Sequence, residues 1–179
     1  HNQGNGFFTE VAEDCNLTHI QRGRTVVTLD ADRDGDLDFV ITSREAAMEL
    51  YRNDTPSPGH WLQMTFDTSG NPLMAPDGFG VRVEADTKGL TQQRVLNGSP
   101  SYLGTCELSL HFGLGDATSV NELRVHWPRC RTSVLQNVAA DQFIELTAPL
   151  PGDVNADGAV NVEDLIAMFA AWGPCLLYT

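Results

Sequence analysis

The chain has 179 residues with 24 acidic and 11 basic side chains, a formal charge of −13 and an apolar share of 41%. That charge argues against nucleic acid and anionic membrane surfaces as partners, and no apolar run is long enough to cross a bilayer. The length suits one or two domains, and the apolar share supports a modest core.

Taken in chain order, residues 7–11, 24–29, 37–42 and 49–52 read as four short strands joined by Gly- and Asp-rich turns. Val26, Val27, Phe39, Val40 and Ile41 are the β-branched and aromatic types that a half-buried sheet prefers. Two prolines and a glycine in residues 53–59 mark a linker. Beyond it, residues 61–66, 80–85, 91–96, 108–112, 122–126, 133–135 and 143–146 are strand candidates. Residues 81–85 and 123–127 alternate apolar and polar positions, as in a sheet with one face inward. Seven short strands with frequent turns predict a sandwich or barrel. Pro149 and Pro151 punctuate a second boundary, and residues 162–172 are the one clear helix. Leu165, Phe169 and Trp172 fall on one of its faces, and Gly173-Pro174 stops it.

Nine of the 24 acids lie in two short segments. The first is Asp30-Ala31-Asp32-Arg33-Asp34-Gly35-Asp36-Leu37-Asp38. The second begins Asp153-Val154-Asn155-Ala156-Asp157-Gly158 and ends at Asp164, where the helix starts. Ca²⁺ needs six to eight oxygen ligands, and alternate residues of a tight turn supply them. In the second loop Asp153, Asn155 and Asp157 stand at ligand positions 1, 3 and 5. Gly158 provides the sharp turn, Ala159 a backbone carbonyl, Asn161 a ligand acting through water, and Asp164 the closing carboxylate. In the first loop Asp30, Asp32, Asp34 and Asp38 are side-chain candidates, and Asp36 offers its carbonyl. Two Ca²⁺ sites are therefore expected.

The four cysteines have no CxxC spacing. Cys106 and Cys130 flank one β-rich stretch, and a disulfide and two buried thiols both remain open. Asn16-Leu17-Thr18, Asn53-Asp54-Thr55 and Asn97-Gly98-Ser99 have the glycosylation spacing. Ser99, Ser101, His111, Asp116 and Asp141 are triad residue types without a G-x-S-x-G elbow, and His60, His111 and His126 lack zinc spacing. Trp61, Trp127, Tyr102 and Phe79 are candidates for a sugar-stacking platform, weighed against a core role for the two tryptophans.

Three resemblances follow from these residues. Residues 152–165 resemble one repeat of a type I dockerin, which has Asp at position 12 and implies docking to a cohesin-like partner. The Asp30–Asp38 loop, with Phe7-Phe8-Thr9-Glu10-Val11-Ala12 before it and Leu50-Tyr51-Arg52-Asn53 after it, is similar to one FG-GAP/VCBS blade of an integrin-α-like propeller. Residues 60–147 resemble the ASPIC/UnbV domain, through Gly78-Phe79-Gly80-Val81-Arg82-Val83, His111-Phe112-Gly113-Leu114-Gly115 and Val125-His126-Trp127-Pro128. This resemblance implies a β-sandwich-like accessory domain.

The expectation is a mainly β chain in three parts. A four-stranded propeller-like blade (1–55) packs on a β-sandwich-like domain (59–148), and a half-dockerin with one calcium-loop helix (151–175) follows. The expected function is that of a calcium-binding, non-catalytic accessory module of an extracellular or cell-surface protein, serving adhesion, carbohydrate or protein binding. The alternative is a hydrolase acting on polysaccharide or ester. The chain opens on His1-Asn2-Gln3-Gly4 without an apolar leader and is expected to be a segment of a longer exported protein. Expected partners are a polysaccharide, or a cohesin-like protein or second copy meeting Leu165, Phe169 and Trp172; neither nucleic acid nor membrane insertion is expected.

Overall fold

The computed structural model describes the chain apart from residues 18–20, 57–58, 88, 99–100, 129–131 and 172–179. It is mainly β, and among the described residues it has three sheets and one C-terminal helix. The chain divides into two compact units, His1–Thr55 with Ser99–Glu107, and Pro56–Gly98 with Leu108–Thr179. Among the described residues, no helix is long and apolar enough to cross a membrane.

In the first unit, β1 (Gly23–Leu29), β2 (Asp38–Ser43) and β3 (Glu49–Tyr51) form an antiparallel meander in that order. The register sets Leu29 opposite Asp38, so the whole acidic segment becomes the connection between β1 and β2. Phe39 and Tyr51 face each other across β2 and β3 and stack at 5.1 Å, a cross-strand aromatic pair that holds the short third strand.

The expected four-stranded blade is corrected to three strands. Residues 7–11 do not join the sheet. They fold back on the N-terminus, where Thr9 N–H donates to His1 O and Gln3 N–H to Phe7 O, both at 2.9 Å. Gly4 and Gly6, at φ 78° and 86°, permit that reversal. The sheet does not close into a propeller.

A segment from far along the chain lies beside β1 instead. The Ser101 and Thr25 hydroxyls hydrogen-bond at 2.5 Å, and Thr28 N–H donates to Cys106 Sγ at 3.4 Å. Gly104 passes so close that a Cβ there would stand 2.5 Å from Thr25 Oγ1 and 2.8 Å from Val27 Cγ1. An unpaired strand edge is a liability, and residues 101–107 cover this one. Cys130, the partner considered for Cys106, lies outside the described residues.

The second unit contains all seven expected strands: β4 (His60–Asp67), β5 (Arg82–Thr87), β6 (Leu90–Val95), β7 (Leu110–Gly115), β8 (Ser119–His126), β9 (Thr132–Ala139) and β10 (Gln142–Thr147). One sheet has the order β10-β4-β7 and the other β6-β5-β8-β9. Leu62, Met64, Phe66, Leu110 and Phe112 of the first sheet join Val83, Ala85, Leu123 and Val125 of the second in one hydrophobic cluster. Alternation put these side chains on the inner faces, and their burial supplies most of the stability of such a fold. Trp127 is 4% exposed, meets Phe66 edge-on at 5.7 Å, and donates from Nε1 to Ser133 Oγ at 2.9 Å. A buried indole needs such an acceptor. Gly78, at φ 75°, approaches Phe66 so closely that a Cβ would stand 2.5 Å from Phe66 Cβ.

β10 runs parallel to β4, a pairing that no hairpin can direct. Asp141, in the turn between β9 and β10, fixes it. Its N–H donates to Trp61 O at 2.6 Å, Trp61 N–H donates to Asp141 Oδ1 at 3.2 Å, and His60 Nδ1 lies 2.6 Å from Asp141 Oδ2. The hydrogen bond from His60 is the main cause holding this carboxyl below the ordinary aspartate range. A depressed acid contributes stability that is present above its unfolded value and lost as pH falls through the folded one. The stability difference between the wild type and Asp141→Asn is therefore expected to shrink below about pH 4. Urea melts of both across pH 2–7 check this; a constant difference would contradict it.

Candidate metal centre

The two acidic segments adopt the same local backbone. In each, the fourth residue is left-handed (Arg33 φ 61°, Ala156 φ 70°), as is the sixth (Gly35 φ 94°, Gly158 φ 86°). The sixth amide donates to the first carboxylate: Gly35 to Asp30 Oδ2 at 3.0 Å, Gly158 to Asp153 Oδ2 at 3.1 Å. The seventh amide donates to the fifth side chain: Asp36 to Asp34 Oδ1 at 2.9 Å, Ala159 to Asp157 Oδ1 at 2.8 Å. The second amide donates to the closing acid: Ala31 to Asp38 Oδ2 at 2.8 Å, Val154 to Asp164 Oδ1 at 2.6 Å. Carboxylates that accept several backbone N–H groups hold a loop in a ring around their remaining oxygens.

The loops differ in how they leave that ring. Asp38, at the ninth position of the first loop, is 1% exposed and begins β2. Its Oδ1 accepts from Asn53 N–H at 2.7 Å, which ties the loop to the residues after β3. In the second loop the ninth residue is Asn161, the N-cap of helix α1 (Val162–Ala171). Asn161 Oδ1 accepts from Glu163 N–H at 2.6 Å, while Asp164 Oδ2 accepts from Asn161 N–H at 2.8 Å. The two bonds cap the helix start in the manner of a capping box, with the Asn161 side chain on the second helical amide and Asp in the place usually held by Glu. The amides of Asn161, first, and of Asn155 and Val154 hold the Asp164 carboxyl below the ordinary aspartate range.

The first loop gathers the charge. Asp30, Asp32 and Asp38 each bring one carboxylate oxygen within 4.8 Å of the others. Two oxygens bound to one Ca²⁺ at about 2.4 Å lie no more than about 5 Å apart, so this spacing fits the ion. Asp30 is 7% exposed, and its Oδ1 is buried with no hydrogen-bond donor among the described residues. Burial pushes its carboxyl upward; the Gly35 and Arg33 amides oppose that, and Asp34 adds to it by its charge while its amide opposes it. A buried oxygen of this kind carries a cost that a bound cation would offset. Arg52 Nη1 lies 3.8 Å from Asp32 Oδ2, and its Nε pairs with Asp54 Oδ1 at 2.7 Å.

The remaining expected ligands stand as follows. Asp34 is exposed, and Asp36 is half-buried. Asn155 Nδ2 donates to Asp157 Oδ2 at 2.8 Å, and Asp153 and Asp164 are buried with their oxygens on backbone amides. Among the described residues, convergence of three acidic ligand atoms belongs to the first loop. Sequence reasoning did not find Glu107. Its Oε2 accepts from Asp30 N–H at 3.3 Å across 77 residues of sequence, and no local signal announces it.

Other expected site residues separate. Trp127 lies in the core, while Trp61 is half-buried, edge-on to Phe143 at 4.8 Å and stacked on His111 at 6.4 Å. His60 pairs with Asp141, and His126 Nε2 lies 3.4 Å from Glu84 Oε2. Leu165, Ile166 and Phe169 of α1 are about half exposed (45%, 61% and 56%); Trp172 lies outside the described residues.

Residues 71–150 match the family model described as ASPIC and UnbV. No curated protein matches the chain.

Asp30→Asn keeps an acceptor for Gly35 N–H and removes the buried charge. In EDTA it is expected to raise Tm, by relieving repulsion with Asp32, Asp34 and Asp38. Differential scanning calorimetry checks this, and a lowered Tm in EDTA would contradict it.

Proposed function

We propose that the chain is a calcium-binding, non-catalytic accessory module of an exported multidomain protein, in which one ion at each acidic loop serves as a structural staple. The observation that carries this reading is buried Asp30, one oxygen of which has no donor among the described residues and whose carboxylate stands with those of Asp32 and Asp38. In the first loop Asp30, Asp32, Asp34 and Asp38 would hold the ion with their side chains, and Asp36 with its carbonyl. In the second, Asp153, Asn155, Asp157 and Asp164 would hold it with their side chains, Ala159 with its carbonyl, and Asn161 through water. The backbone scheme shared by the two loops supports extending the reading from the first to the second. Calcium sites of extracellular modules commonly bind at about 10⁻⁴–10⁻³ M, so an exported setting would keep them filled.

The finer module types belong to the same proposal. The β1–β3 meander with its aspartate loop is read as an FG-GAP/VCBS-like blade, and the loop with α1 as a dockerin-like half-repeat. The module would serve adhesion or the binding of a carbohydrate or protein. A glycan array probed with calcium-loaded protein tests the carbohydrate part, and the absence of any bound glycan removes it.

At a hundredfold excess over the dissociation constant, each ion that binds only the folded state adds about 2.7 kcal/mol. Calcium is therefore expected to raise Tm by several degrees, and EDTA to reverse the rise. Asp32→Asn and Asp157→Asn should each remove part of the gain, and together nearly all of it. Equal melts in calcium and EDTA would sink the proposal.

A further inference from the structure

The first loop is completed from outside itself. Residues 101–107 follow the edge of β1 from Thr25 to Asp30, and their contacts are graded in kind along that path. Near Thr25 they are a hydroxyl pair and the close passage of Gly104. At Thr28 they use its backbone: its N–H donates to the Cys106 side chain at Sγ, and its carbonyl accepts from Glu107 N–H at 3.2 Å. These contacts already dock the segment. Yet the segment ends by placing a carboxylate on the amide of Asp30, whose own buried oxygen lacks a donor. The cluster of acidic ligand atoms is Asp30, Asp32 and Asp38, and Glu107 holds the backbone amide of its first member. Without a cation, like charges oppose gathering the three; with a cation, each of them favours it.

We propose that Glu107 is a positioning residue of the first loop, and that Ca²⁺ binding there is coupled to docking of residues 101–107 along β1. The inference rests on the calcium reading of that loop. Glu107 fixes the Asp30 amide, and with it the direction of the first ligand, as outer partners of metal ligands commonly do. Coupling of this kind is reciprocal. Whatever factor the docked segment adds to calcium affinity, calcium adds to docking. The segment lies between β6 and β7 in sequence, so calcium at a loop near the N-terminus would order a connection that belongs to a distant part of the chain.

The test uses the full chain with Asp157→Asn, so that calcium titration reports the first loop. Glu107→Ala removes the acceptor that Asp30 N–H meets. It is expected to weaken Ca²⁺ binding about tenfold or more by calorimetry, and Glu107→Gln, which keeps an acceptor, to restore most of the loss. Hydrogen exchange in residues 101–107 should slow on adding Ca²⁺ in the parent, and slow much less in Glu107→Ala. Gly104→Ala changes no carboxylate but pushes the segment off Thr25 and Val27, and it should weaken Ca²⁺ binding as well. Far-UV circular dichroism confirms that each variant is folded. If the parent binds Ca²⁺ while Glu107→Ala and Gly104→Ala bind equally tightly and exchange in residues 101–107 ignores the ion, the coupling is overturned and the calcium reading stands. If the parent binds no Ca²⁺ at its first loop, both fail.

Discussion

Asp30 buries a carboxylate oxygen that no donor among the described residues meets, and its carboxylate lies within ligand distance of two further acids. An arrangement of this kind is unfavourable by itself, because desolvation and repulsion both act against the charge. Much of the first unit is organised around it. The register of β1 and β2 closes at Leu29 and Asp38, which fixes the mouth of the loop. Asn53 N–H holds Asp38 from beyond β3, and Glu107 holds the Asp30 amide from beside β1. Gly35, left-handed at φ 94°, turns its N–H onto the other Asp30 oxygen. These contacts engage the Asp30 amide, the other Asp30 oxygen and Asp38, and none of them is made to the unmet oxygen. Under the calcium proposal, the unmet oxygen is the reason for the others.

The second loop uses the same backbone scheme, then sends the chain elsewhere. The sequence after each loop decides the exit. Phe39-Val40-Ile41 are strand formers and pair with Val26, Val27 and Thr28 of β1. Glu163-Asp164-Leu165-Ile166-Ala167-Met168 favours a helix, with acids in its first turn where the helix dipole welcomes them. The closing acid moves accordingly, from the first residue of a strand to the third residue of a helix. Asp164 then serves twice, closing the loop through Val154 and Asn155 and capping the helix through Asn161.

Local chemistry was legible in the sequence; long-range partnership was not. Alternation at residues 81–85 and 123–127 named the inner faces of β5 and β8, and all seven strands of the second unit stand close to where the pattern puts them. The helix was legible from the spacing of Leu165 and Phe169 and from the acidic loop before it, and the structure adds the Asn161–Asp164 cap. Phe7 and Phe8 misled because aromatic residues favour strands wherever they occur, whereas the two nearby glycines let this stretch pair with the N-terminus. Residues 101–107 have no periodicity, and their partners on β1 and at Asp30 lie 76 to 79 residues away. The two tryptophans are alike in composition, yet Trp127 found Phe66 and Ser133 in the core while Trp61 stayed half-buried beside Phe143. Burial of that kind depends on which sheets face each other, and no single strand records it.

The proposal turns a feature usually read as solubility, the charge of −13, into a count of sites, since nine of the 24 acids lie in the two loops. Its most direct test is the number of calcium ions held per chain, measured by equilibrium dialysis against millimolar Ca²⁺ with atomic absorption of the dialysed protein. Two ions per chain are expected, falling to one in Asp32→Asn and to one in Asp157→Asn. A wild-type chain that emerges from dialysis with no calcium would contradict the reading of both loops.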